Sequence, residues 1–588
     1  MALAISHEDT QILLKDKNVL VESTLDKYRT AGQITQTALR YLINLINDSY
    51  HYKKTDTPLT ISQLCFLTDS FINQTLESFY KNKVNERGIS HPTTIDVDEL
   101  TNGWSPELDD PVFLTNKNKL YTENFKSNGI KRCVEDILQY GDIVKLTVGC
   151  HIDGYTSQVS HTIVISPTTI EQENIKPQGP LLGGKADAIA AAHIATESLV
   201  TLLGCALHPE KLPSTLHHTK VTGSLIRTIV DTIVSMYNCS IVPGSKIRRI
   251  RRFLAGQNEG VVAEREFKGC VWYEANQEAR ILQEINKNNS NELLLKSNAA
   301  RSIDDNSAVP TDDFVVAPGE VYLIDLKVAS LAGTEGLGLV TLEQVENFNG
   351  TTTSGRTLVA RPTQYVRDYT QQHNLKLKTS RQVLNKLDKL GGVYPVKLTY
   401  LSPFFTKEDN TGNEANIIQD LKSLRLGMSE IVNNFLATTK PIQICKFIPW
   451  KLILSSANPT GSKGFDAVNP TLPGFEVPLP QLNIPGIKLK SLLKDRSCLT
   501  LPVARECCTV ALSEEESCLI RLTGGSRTCQ PSWIHSQYQL DTTNNIVQGV
   551  FQLAELSKDE RFGIKIRETL PMKKKLVNMV SYDENMMA

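Results

Sequence analysis

Residues 145–165 read KLTVGCHIDGYTSQVSHTIVI. Two runs rich in β-branched residues flank Asp153-Gly154, a pair that takes up the backbone angles of a tight hairpin turn. Asp142 to Ile165 is therefore expected to form two antiparallel strands. With the centre of the hairpin placed between Ile152 and Asp153, Thr147 and Gln158 are equidistant from it. In a simple hairpin these two polar side chains stand opposite each other.

Around the hairpin, helices and strands mix without a regular β-α-β period. Leu20 to Ile46 reads as an amphipathic helix and Leu59 to Tyr80 as a second, capped at Thr60 or Ser62. Ala186 to Leu203 and Ser224 to Tyr237 are helical, the latter with Ser224 as its cap. Val315 to Val328 is a strand entered from a Pro318-Gly319 turn. Gln277 to Asp313, rich in Asn, Ser and Asp, reads as a helical start leading into a flexible insertion. Asn458 to Pro485 carries Pro459, Pro470, Pro473, Pro478, Pro480 and Pro485. Proline does not fit inside a sheet, so this stretch reads as a surface loop or a partner-binding arm.

With 588 residues, 40% apolar and 22% charged, the chain can bury a large core. It is not a disordered chain, a collagen-like repeat or a small disulfide scaffold. Its most apolar stretch, Ala186 to Leu207, is interrupted by Asp187, His193 and Glu197, so no membrane span is expected. The start lacks the basic-then-apolar order of a signal peptide, and a reducing compartment is expected. The twelve cysteines have neither CxxC pairs nor metal-like spacing and read as buried free thiols. A net charge of −1, from 63 basic and 64 acidic residues, leaves any nucleic-acid contact to a local patch.

The hairpin resembles the paired strands of the type II methionine aminopeptidases, pita-bread metallopeptidases in which both matching positions are aspartates holding a pair of divalent metals. SHPTTIDVDELTNGWSP (Ser90 to Pro106) resembles the segment that presents a substrate-contacting histidine. PGEVYLIDLKVAS (Pro318 to Ser330) and LPVARECCTVAL (Leu501 to Leu512) resemble the two strands that each carry a metal-binding glutamate. NLKLKTSRQVLNKL (Asn374 to Leu387) and KADAIAAAHIATES (Lys185 to Ser198) resemble the non-peptidase branch of the family, which includes the mammalian proliferation-associated ErbB-binding protein. The long insertions and the degenerate pocket resemble the fungal nuclear export factors of the pre-60S ribosomal particle. The resemblance implies an α+β, pita-bread fold, a pseudo-twofold pair of halves around a curved antiparallel sheet with helices outside. It implies an N-terminal tail (1–14), a pita-bread domain (15–530) with insertions at 277–313 and 440–497, and a C-terminal extension (531–588) with a basic tail.

Carried over residue by residue, the five metal positions fall at Thr147, Gln158, Arg248, Asp325 and Cys507. The substrate-contacting histidine falls at Gly103. Asp325 alone keeps a carboxylate. Thr147 and Gln158 are neutral, Arg248 repels cations, and one thiolate with one carboxylate does not make a four-ligand site. No histidine occurs between His218 and His373. Without a metal there is neither an acidified water nor a Lewis acid for a scissile carbonyl. The expectation is a peptidase fold without peptidase chemistry, metal or cofactor.

Lys246-Ile247-Arg248-Arg249-Ile250-Arg251-Arg252 puts five cations in seven residues. On a helix, Ile247, Ile250 and Leu254 face inward and the cations spread outward. That face is either simply solvated or, given the ribosomal partner that the resemblance implies, an rRNA contact made through phosphates. Lys376, Lys378 and Arg381 form a second cluster, and Lys488, Lys490, Lys494 and Arg496 a third. Lys573 to Lys575 reads as a solvated tail or a nuclear import signal. His161, on the face opposite Gln158, reads as a satisfied core histidine. The resemblance implies a factor that binds pre-60S particles beside the polypeptide exit, contacting rRNA, ribosomal proteins and other biogenesis factors. It also implies contact with nuclear-pore repeat proteins, shuttling between nucleus (nucleolus included) and cytoplasm, and no membrane. The alternatives are a metal-dependent aminopeptidase and an RNA-binding translation regulator.

Overall fold

The computed structural model describes residues 11–573 apart from 55–57, 81–82, 85, 111–136, 172–173, 254–267, 275, 278–279, 282–311, 313, 346–360, 391–392, 406–413, 458–491, 494, 496 and 532. Ten strands form one sheet. They are β1 (Arg87–Val97), β2 (Ile143–Ile152), β3 (Tyr155–Val164), β4 (Cys239–Ile241) and β5 (Lys246–Ile250). The others are β6 (Gly269–Val271), β7 (Val321–Ser330), β8 (Val503–Ser513), β9 (Cys518–Arg521) and β10 (Ile566–Glu568). The order is β1-β2-β3-β8-β7-β5-β6, with β9 on β8, β10 on β9 and β4 on β7. Among the described strands of this sheet, the β9-β10 pair alone is parallel.

The hairpin forms as its sequence dictates, with Asp153 at φ +54° and Gly154 at φ +80°. Its centre lies between these two residues, one residue beyond the expected point. Thr147 therefore faces Ser160, and Gln158 faces Gly149. Thr147 and Gln158 are diagonal neighbours on one face rather than an opposed pair.

Two helix pairs cover the outer face. α1 (Glu22–Ile46) and α2 (Ile61–Ser78) pack Ala38, Leu42 and Leu64 against Leu146, Val148 and Val159. α3 (Gly184–Gly204) and α4 (Gly223–Met236) pack Ala188, Ile226 and Ile229 against Ile324, Leu326 and Val510. Thr60 and Gln63 close a capping box on α2, satisfying helix donors that would otherwise lack partners. α4 is capped by Thr222 rather than Ser224, the Thr222 hydroxyl accepting from the Leu225 amide. α3 is long and apolar enough to cross a membrane, yet it is a core helix. Its Asp187 accepts from the Ser536 hydroxyl at 2.6 Å and its Glu197 from both Arg521 Nη atoms.

A second sheet joins Leu100–Asn102, Gly338–Val345, Ile442–Pro449 and Leu499–Thr500. Its Val340, Cys445 and Phe447 pack against Val242, Ala329 and Val503 of the main sheet region. Ile442–Pro449 is central to this sheet, so the segment read as an insertion from 440 starts as structural strand. Its proline-rich part, like most of 277–313, lies outside the described residues. α5 (Lys378–Leu390) and α6 (Glu414–Asn433) pair beside this region. Beyond residue 530, α7 (Asn545–Lys558) adds Val550 and Leu553 to the core under α3 and α4, and β10 extends the main sheet. The described part of the C-terminal extension is built into the domain.

One reading is corrected outright. Lys246–Ile250 is strand β5, not a helix, and it is buried on both sides. Ile247 faces the helix-side core and Ile250 a separate cluster with Val321 and Leu323. Leu254 lies outside the described residues. All described cysteines are free, and all but the partly exposed Cys498 are buried.

Candidate functional site

Thr94, Thr147, Ser160, Cys507, Asp325 and Lys246 are successive ladder partners on β1, β2, β3, β8, β7 and β5. Directly opposed residues share a face of a sheet, so this row runs across the inner face. It sets Thr147, Cys507 and Asp325 in line. Gln158 and Arg248 lie two residues along their strands from row members, on the same face. The sheet thus gathers all five positions picked out from the sequence.

At the centre of this face sits a residue that the sequence reading passed over. Arg505 donates from Nε to Asp325 Oδ1 at 2.7 Å and from Nη2 to Oδ2 at 3.0 Å. Its Nη1 reaches Thr147 Oγ1 at 3.3 Å and Asn102 Oδ1 at 3.4 Å. The side chains of the ion pair are 3% and 5% exposed. Such bidentate, charge-assisted pairs are among the stronger polar contacts in proteins. Thr147 in turn donates to Ser160 Oγ at 2.8 Å.

The surroundings are cationic. Burial favours a neutral Asp325 carboxyl, but the Arg505 guanidinium and then Lys327 outweigh it and hold the group well below the usual carboxylate range. Burial pushes Lys327 down to about 8 despite Asp325. Burial, then repulsion from Lys246, Arg505 and Lys327, pushes Lys440 down to about 7. His91, beside Gly149 on β1, is held well below its ordinary value by burial, then by Lys440 and Arg505. Burial and then Asp325 push the Cys507 thiol far up, which keeps it protonated. Gly103 has φ +95°, and a Cβ there would lie 2.6 Å from the Pro441 carbonyl oxygen. No side chain fits at the position matched to the substrate-contacting histidine, and its neighbour Asn102 reaches Arg505 instead.

These donors do not fit a pair of divalent cations. Asp325 is engaged on both oxygens by a guanidinium, Thr147 and Gln158 carry no charge, Cys507 holds its proton, and Arg248 is a cation. Among the described residues, no three His, Cys, Asp or Glu side chains are grouped to hold a metal.

His161 lies on the other face. Its Nδ1 meets Glu506 at 2.9 Å, and its Nε2 lies 3.2 Å from the Gln530 carbonyl oxygen. Burial lowers its pKa, but the Glu506 charge and these hydrogen bonds more than offset that and raise it. It is a satisfied core histidine.

The basic run is dispersed. Arg248 and Arg249 are buried, and Arg249 pairs at 3.1 Å with Glu320, which Lys268 shares at 2.8 Å. Arg252 pairs with Asp153 at 2.6 Å and lies over the Tyr155 and Phe253 rings. Lys246 and Arg251 are partly exposed. The run is a strand and its exit, not an exposed cationic helix face. Lys376, Lys378 and Arg381 are exposed where α5 begins, and Glu430 accepts from the Lys376 and Leu377 amides. Lys573 is exposed. Lys488, Lys490, Lys494, Arg496, Lys574 and Lys575 lie outside the described residues.

Helix pairs outside, one curved antiparallel sheet and polar residues converging on its inner face define the pita-bread architecture of the M24 metallopeptidases. Residues 26–177 match the family described as Metallopeptidase family M24. A Saccharomyces cerevisiae protein named "Probable metalloprotease ARX1" is 57% identical over 588 residues, covering 98% of both chains, and the chain belongs to this ARX1 family. An Arabidopsis thaliana protein named "ERBB-3 BINDING PROTEIN 1" is 28% identical over 251 residues, covering 42% of this chain and 49% of its own. A solved structure, "Structure of a thermophilic Arx1", shares the fold at a TM-score of 0.50 and 16% identity, covering 90% of this chain and 98% of its own.

Proposed function

We infer that the chain is a non-catalytic member of the ARX1 family. It binds precursors of the large ribosomal subunit beside the polypeptide exit, promotes their export from the nucleus and shuttles back to the cytoplasm. The loss of catalysis rests on Arg505. A guanidinium holds the remaining carboxylate of the matched set at 2.7 and 3.0 Å, leaving no anionic cradle for a metal that would acidify water. The binding role is supported by the resemblance to the pre-60S export factors and by the exposed cations Lys376, Lys378 and Arg381, which are suited to phosphate contacts. Ribosomal proteins, other biogenesis factors and nuclear-pore repeat proteins complete the proposed partner set.

Affinity purification of the full chain from growing cells, with identification of bound RNA and protein, tests the binding role. Precursor large-subunit rRNA with its nuclear factors is the expected catch. Mature ribosomes with mRNA would instead make the chain a translation regulator. The name of the S. cerevisiae relative, "Probable metalloprotease ARX1", carries a second reading, checked on the same preparation. Purified protein should hold well under one equivalent of Mn, Co, Fe or Zn and release no methionine from peptides. Two tightly bound metals with metal-dependent turnover would restore the peptidase.

A further inference from the structure

The inner face carries more positive than negative charge. Around the Arg505 guanidinium stand Lys246, Lys327 and Lys440, with Asp325 and Asp96 as the carboxylates they sense. Asp325 is committed to Arg505 through both oxygens, and Asp96 Oδ1 accepts from the Trp104 amide at 2.8 Å.

Lys327 is the second observation. It lies two residues from Asp325 and directly across the β7-β8 ladder from Arg505. Only 6% of it is accessible, yet among the described residues its ammonium has no hydrogen-bond or ion-pair partner. A charge this deep is costly unless an anion meets it. One unpartnered ammonium matches one negative charge, which a carboxylate supplies and a phosphate dianion exceeds.

We propose that the inner face of the sheet carries a carboxylate-binding site, in which Lys327 holds an oxygen of a peptide chain end or an acidic side chain while Lys440 and Arg505 set the surrounding positive field. The site stands whether or not the chain binds ribosomal precursors. It needs neither a metal nor a covalent step.

The test is calorimetric titration of the full chain with four probes. These are triglycine with a free C-terminus, triglycine amide, N-acetylglutamate amide and inorganic phosphate. Saturable binding of triglycine but not of its amide points to a chain end, and binding of N-acetylglutamate amide to an acidic side chain. Lys327→Met should weaken either at least tenfold, with Lys327→Gln as the second variant. If neither variant folds, the rate at which an amine-acylating reagent modifies Lys327 in the wild-type chain, read by mass spectrometry, should fall when the binding probe is added. The proposal is overturned if no carboxylate probe binds, if phosphate binds in preference, if Lys327→Met binds equally well, or if the modification rate is unchanged.

Discussion

Replacing Asp325 alone strands the Arg505 guanidinium in a site where both side chains are at most 5% exposed. Removing one partner of a buried pair costs about 3–5 kcal/mol, whereas exchanging both partners for apolar residues of similar volume is often neutral. Asp325→Ala should therefore lower stability to urea by about 3–5 kcal/mol, and Asp325→Leu combined with Arg505→Met should recover most of it. The pair also has a pH signature. Folding lowers the Asp325 pKa below its unfolded value of about 3.9. Its contribution is thus complete above that pH and is lost as pH falls toward the folded value. Urea midpoints of the wild type should drop more steeply below about pH 4 than those of the double variant. A single arginine in LPVARECC carries no signal of its own. Strand alternation would have placed it on the face of Cys507, but its meeting with Asp325 depends on two strands far apart in sequence. The five matched positions were legible because each could be read singly, whereas the cation standing among them was not.

At the scale of elements, amphipathic spacing was enough for α1 and α2, and the Asp-Gly turn was enough for β2 and β3. The turn centre was misjudged by one residue, which turned a diagonal pair into an opposed one. β5 failed for a different reason. Ile247 and Ile250 are three apart, a helical spacing, but a strand buried on both faces puts one isoleucine into each core and shows no alternation. The two basic clusters should accordingly behave in opposite ways. Arg249→Glu opposes Glu320 inside the protein and should cost about 3–5 kcal/mol, seen as a large fall in thermal midpoint or as insoluble protein. Lys376→Glu, Lys378→Glu and Arg381→Glu lie at exposed positions at and just before the start of α5 and should each change stability by no more than about 0.5 kcal/mol.

For the whole molecule, near-neutral net charge means that the proposed affinity for a ribosomal precursor has to come from local cations. If Lys376, Lys378 and Arg381 each meet a phosphate, reversing all three should flatten the plot of log affinity against log salt by about two to three units, using the coefficient of about 0.9 per phosphate known for duplex DNA. Co-sedimentation with precursor particles over a salt series measures this. An unchanged slope moves the contact elsewhere.

The sheet order has a consequence for how the chain is made. β8 (Val503–Ser513) sits between β3 (Tyr155–Val164) and β7 (Val321–Ser330), so the strand that joins the two halves is translated long after both its neighbours. At about 5–20 residues per second, β8 leaves the ribosome roughly 20 to 70 s after β3. Throughout that interval β3 presents an open edge, and from its own synthesis onward so does β7; such edges are the feature through which nascent chains pair wrongly with one another. Closure waits for a contact between residues hundreds of positions apart, which makes folding slow. A nascent chain of this protein therefore depends on being shielded for most of its own synthesis, and a stop shortly before β8 yields two unsealed half-sheets rather than a smaller stable domain.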